Sequence, residues 1–187
     1  INADDIPTEV RIKGDWTDNN VTVSGTAGFN PGYNSTVLFY GTADQYLNTA
    51  ATTGLFNHVT LDLGTVNFRP QDNLELRGDL NILTGWWYDG VNFLTHSFRG
   101  DFTVASAGGF STTPGTTVRF IGSSDQVISW SGSNGYFSDL IIDKSITDGG
   151  GRTNTVSLAT PIYLLNNPTL YVNFGTLDLN GQFIRAT

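Results

Sequence analysis

The chain has 187 residues, 22 of them Gly, and carries a formal net charge of −8 on 17 Asp and Glu against nine Lys and Arg. That length suffices for one folded unit with a sizeable core, and the few scattered basic residues exclude the phosphate-tracking surface that nucleic acid requires. Cysteine is absent, which excludes a disulfide framework and thiolate chemistry, and no stretch approaches the ~20 apolar residues that span a bilayer.

Helix formers are scarce: Lys13 and Lys144 are the only lysines, Glu9 and Glu75 the only glutamates. In chain order the sequence instead offers short apolar alternations. These are Val21-x-Val23, Val37-x-Phe39, Val59-x-Leu61-x-Leu63, Leu74-x-Leu76, Leu80-x-Ile82, Val118-x-Phe120, Leu140-x-Ile142, Leu170-x-Val172 and Leu177-x-Leu179. Period-2 alternation puts one set of side chains on one face, the pattern of strands. Gly, Asn, Asp, Ser and Pro separate them, the residues that tolerate turn geometry. The first residue is Ile1 and methionine is absent throughout, so a processed product or a piece of a longer chain is expected.

The alternations repeat. Val37, Phe39 and Gly41 return 81 residues later as Val118, Phe120 and Gly122; Asp44-Gln45 returns as Asp125-Gln126, and Leu61-Asp62 as Ile142-Asp143. After an insertion near Asp148-Gly149-Gly150-Gly151 the match resumes 90 residues on, with Leu80 against Leu170, Ile82 against Val172 and Gly85 against Gly175. Within this lies a shorter beat of 22 residues, from Val37 to Val59 and from Phe39 to Leu61. Fixed periods of this size imply stacked repeats that share a core. A lone coil cannot offset its own ordering entropy of about 1–2 kcal/mol per residue. The fold expected is therefore all-β: a parallel β-solenoid, right-handed, of about eight coils of roughly 20–22 residues. It forms one domain, 1–187, made of two long repeats, about 10–93 and 94–187. An antiparallel sandwich or jelly roll is the alternative, since turn signals every ~8–12 residues fit it too.

The phrases Gly14-Asp15-Trp16, Thr36-Val37-Leu38-Phe39-Tyr40-Gly41, Phe56-Asn57-His58-Val59-Thr60-Leu61 and Gly175-Thr176-Leu177-Asp178-Leu179-Asn180-Gly181 occur in that order. In this the chain resembles the β-helix repeats of very large secreted bacterial surface proteins, over nearly its whole length. The resemblance implies extracellular display and a role as stalk, adhesin or filament; it brings no catalytic residues. Trp86-Trp87-Tyr88 departs from the phrase, where Thr-Leu-Asp would stand. By phase, Thr187 stops just before the position of Arg11-Ile12, so stacking of like subunits end to end, or continuity with adjacent solenoid segments, is expected.

Candidate sites are few. Trp86 and Tyr88 point away from an inward Trp87 and form a candidate carbohydrate-binding platform for surface glycans, because flat rings stack on sugar faces. Asp79 and Asp101, 22 residues apart, are candidate ligands for weak Ca²⁺ binding; no other cofactor is expected. Arg77-Gly78-Asp79 and Arg99-Gly100-Asp101 spell a cell-adhesion tripeptide, but recurrence within a repeat points to a structural corner. Asp62 and Asp143 share a phase four coils apart. His58 and His96 share no motif and read as isolated strand histidines. A non-enzymatic extracellular scaffold is therefore expected, with a carbohydrate-binding module, or a polysaccharide-degrading β-helix enzyme, as alternatives.

Overall fold

A computed structural model describes residues 8–19, 29, 32, 34–49, 53–91, 93–132, 135–144, 153–165 and 167–186. The expected strand at Val21 to Val23 and the insertion around Asp148 to Gly151 lie outside these. The described residues contain no helix.

The strands run, rung by rung, as follows: β1 (Thr8–Ile12) and β2 (Trp16–Asp18); β3 (Ser35–Tyr40), β4 (Gln45–Thr49) and β5 (Gly54–Phe56); β6 (His58–Pro70) and β7 (Leu74–Leu76); β8 (Leu80–Tyr88) and β9 (Thr95–Phe98); β10 (Phe102–Ser111) and β11 (Thr117–Phe120); β12 (Gln126–Trp130), β13 (Gly135–Tyr136) and β14 (Asp139–Asp143); β15 (Thr155–Leu158), β16 (Ile162–Leu164) and β17 (Leu170–Phe174); β18 (Thr176–Asp178) and β19 (Ile184–Ala186).

Each strand pairs in parallel with its counterpart one rung away. The larger sheet stacks β1-β3-β6-β8-β10-β12-β15-β18, with β2, β4 and β13 alongside; a second sheet stacks β17-β14-β11-β9-β7-β5; β16 pairs with β19. The long strands β6, β8 and β10 break register in mid-course, between Leu61 and Asn67 and between Val104 and Ala107. The larger sheet bends there into two sides, and the second sheet makes a third. This is a parallel β-solenoid, not a sandwich.

Among the described residues, eight rungs line the first side and six reach the third. The described solenoid thus has about six turns rather than eight. Val37, Val59, Leu80 and Phe102 are stacked 21 or 22 residues apart; the next steps, to Ile128 and Leu158, take 26 and 30. Parallel register is kept across these longer steps.

Alternation within the strands explains the core. In β3, Val37 and Phe39 are fully buried while Leu38 and Tyr40 are half-buried. Phe39, Phe68, Trp87, Phe110 and Phe137 form an interior aromatic column with successive centroids 4.7–5.5 Å apart. Ring pairs at such distances contribute about 0.5–1.5 kcal/mol each beyond their burial.

The long sequence repeat does not correspond to a whole number of turns. Val37 and Phe39 lie in the larger sheet, while Val118 and Phe120 lie in the second. Leu80 and Ile82 pair in the larger sheet; Leu170 and Val172 pair in the second. Asp62 pairs with Thr84 on the first side and Asp143 with Phe174 on the third. Asp62 and Asp143 therefore do not share a phase. What repeats is a corner module. Asp44 and Asp125 each accept a backbone N–H from the following rung, Asn67 at 2.9 Å and Thr155 at 2.8 Å. The buried glutamines beside them, Gln45 and Gln126, donate to corner carbonyls: Tyr40 for Gln45, Phe98 and Gly100 for Gln126. Gly41 and Gly122, at φ +147° and +96°, supply the bend. Such a module serves any corner of the coil.

Candidate functional site

Two surface regions gather functional side chains. The first lies on the second side, where β4, β6, β8, β10 and β13 stack. Their register aligns Tyr46, Arg69, Tyr88, Ser111 and Tyr136 in one outward row. Beside it runs a row through Asn67, Trp86 and Gly109.

Trp87 is fully buried in the aromatic column, whereas Tyr88 is 41% exposed and Trp86 half-buried. The expected alternation holds. Trp86 also has a specific seat. A Cβ on Gly109 would lie 2.4 Å from the indole Cδ2 and 2.6 Å from Cε2. Both are ring-fusion carbons, so such closeness is possible only beneath the ring face. The indole lies flat over Gly109, and no ring among the described residues stacks on its outer face.

Arg69 joins the two rows. Its guanidinium lies 5.2 Å from the Tyr88 ring centre, and its Nε donates to Asp44 Oδ2 at 2.7 Å. Burial pushes the Asp44 carboxyl upward, but hydrogen bonds from Arg69 and Asn67 outweigh it and hold the group below the usual carboxylate range.

The second region is an open cleft of about 810 Å³ where the third side turns into the first, lined by His58, Arg77, Asp79, Arg99, Asp101 and Asp125 among others. Asp79 and Asp101 occupy adjacent rungs there, as expected. Each is committed to the backbone: Asp79 Oδ1 accepts the Asp101 N–H at 2.8 Å, and Asp101 Oδ1 the Val127 N–H at 2.8 Å. Asp125 does the same toward Thr155. His58 Nδ1 accepts the Asp79 N–H at 2.9 Å. It therefore holds no proton for Asp79 Oδ2, 3.5 Å away.

The cell-adhesion tripeptides sit in these tight corners. A Cβ on Gly78 would meet the His58 ring at 2.6 Å, and one on Gly100 would meet Asp79 Oδ1 at 2.4 Å. Glycine stands there because adjacent corners touch. Asp15 belongs to another corner, between β1 and β2, but works alike, accepting the Tyr46 N–H at 2.8 Å. Among the described residues no group of three or more His, Cys, Asp or Glu is placed to hold a metal ion.

Two buried polar groups were not legible in the sequence. His96 is fully buried in line with Leu74 and Val118, and its Nε2–H donates to Asp89 Oδ1 at 3.1 Å. Asp89 also accepts from Trp87 Nε1 at 2.9 Å and Thr113 N at 3.2 Å. His96 is thus a paired core residue rather than an isolated one. Lys144, 1% exposed, donates to Ile121 O at 3.3 Å, Ser124 O at 2.9 Å and Gln126 Oε1. Burial lowers its pKa to about 8 against the pull of Asp125 and Asp101.

Comparison of the chain with protein families, with curated proteins and with solved structures finds no match.

Proposed function

We propose that this chain is a non-enzymatic extracellular scaffold: a β-solenoid segment of a secreted surface protein, or a subunit that joins end to end into a filament. The observation that carries this reading is the open last rung. Leu170 and Val172 continue the inward rows of Leu140 and Ile142, yet they are 40% and 47% exposed. Leu179, in the rung that follows, is 41% exposed. Exposed apolar core positions beside an unpaired strand edge form a template for a further parallel rung. The partners of this reading are adjacent solenoid segments or like subunits. The cleft supports it from the other direction: Asp79, Asp101 and Asp125 each give Oδ1 to a backbone N–H of the next rung, a task that serves the stacking of corners. The acidic, Asp-rich composition suits a surface that stays hydrated outside the cell.

Electron microscopy and sedimentation velocity of the native protein test the reading. Rods or filaments are expected, built end to end or continuous with further coils. A compact monomer at every concentration, with no longer parent chain in the source material, would refute it. Protease treatment of intact cells tests the location: surface display predicts cleavage without lysis.

A further inference from the structure

We infer that the outward surface of the second side is a binding track for an extended, neutral polysaccharide running along the solenoid axis. This goes beyond the scaffold reading and is independent of it, because assembly uses the end of the coil and the track uses its flank.

The track begins with the seat of Trp86. An exposed tryptophan on a strand ordinarily stands up from the sheet. Here the missing side chain of Gly109 lets the indole lie flat, with Cδ2 and Cε2 within 2.6 Å of where a Cβ would be. Its outer face is left parallel to the sheet. Such a face complements the apolar C–H face of a pyranose ring, and an indole gives the largest contact of this kind. Trp16, Trp87 and Trp130, by contrast, pack into interior ring clusters.

The register then extends the platform. Tyr46, Tyr88 and Tyr136 occupy one outward row on alternate rungs. At about 4.8 Å per rung they recur roughly every 9.6 Å, a distance spanned by two sugar rings of an extended chain. Arg69 lies between Tyr46 and Tyr88, and the small Ser111, 5% exposed, between Tyr88 and Tyr136. A ligand using the whole row must cross several rungs, which selects a chain over a single sugar.

Charge selects a neutral chain. The Arg69 guanidinium is paired with Asp44, and the molecule as a whole carries −8. A polyanion would meet net repulsion. The hydroxyls of a neutral sugar suit the remaining Arg69 N–H groups and the tyrosine hydroxyls.

The test is calorimetry with a panel of hexasaccharides: β-1,4-glucose, β-1,3-glucose, α-1,4-glucose, β-1,4-N-acetylglucosamine and anionic galacturonate, each beside its monosaccharide. At least one neutral hexasaccharide should bind at least tenfold more tightly than its monosaccharide. Trp86→Ala and Tyr88→Ala should each weaken it tenfold or more. Gly109→Ala keeps the tryptophan but fills its seat, and should weaken binding comparably. Tyr171→Ala, at an exposed tyrosine on β17 of the third side, should leave binding unchanged. Circular dichroism confirms that each variant is folded. The inference is overturned if no neutral hexasaccharide binds, if only galacturonate binds, if monosaccharide and hexasaccharide bind alike, or if binding survives Trp86→Ala. It is also overturned if Trp86→Ala abolishes self-association, which would make the flank a contact between copies.

Discussion

Asp89 is 1% exposed, and three donors keep it there: the Trp87 indole, the His96 imidazole and the Thr113 N–H. Asp89→Ala would strand all three in the core, and we expect it to cost about 3–5 kcal/mol in urea unfolding. Lys144 makes a prediction in pH. Its folded pKa of about 8 lies below the ordinary value of 10.5. Between those values the unfolded chain holds a proton that the folded chain has released, so stability attributable to Lys144 rises with pH across that window. Below about pH 8 the full penalty of the buried charge applies. Urea titrations from pH 7 to 10.5 should show this rise in the native protein, and Lys144→Met should flatten it. Neither group was legible in the sequence. Asp89 meets His96 across a loop, and Lys144 meets Gln126 across a rung, through pairings that no local pattern records.

At the scale of the element, the corners carry the specificity. Gly85 sits at φ +77°, and a Cβ there would meet Leu63 Cβ at 2.6 Å and Val66 O at 2.8 Å. Gly85→Ala therefore combines backbone strain with a clash against the preceding rung. We expect a loss of about 2–4 kcal/mol, read as a lowered unfolding midpoint with unchanged m-value. Gly175, its repeat partner, has φ +86° and meets Asn154 O and Lys144 in the same manner. The matched glycines were visible in the sequence because both positions require the left-handed region. Their separation onto different sides was not visible, because a corner module looks the same wherever it turns the chain. The alternation of Trp86, Trp87 and Tyr88 was equally legible, since a strand leaves an inward residue no choice of face. The flat pose of Trp86 was not: it depends on Gly109, in the next rung.

For the whole molecule, the described interior is an apolar core with a few paired polar groups such as His96 and Asp89 set into it, and it is open at β17, the last strand of the third side. Val172 occupies an inward row but is 47% exposed there. Val172→Glu should change the stability of the isolated chain by no more than about 0.5 kcal/mol. It should also abolish end-to-end association in sedimentation velocity, by burying an unpaired charge in the joint. Association that persists unchanged would place the contact elsewhere. The sequence by itself determined that strands alternate, that corners recur and that turns stack, because each follows from side-chain period and from glycine geometry within a few residues. Only the tertiary structure decided how many rungs complete a turn, which side each repeat partner occupies, and which buried polar groups meet. Those depend on contacts between residues about 20 to 30 positions apart, set by how one coil settles on the next rather than by anything within the coil.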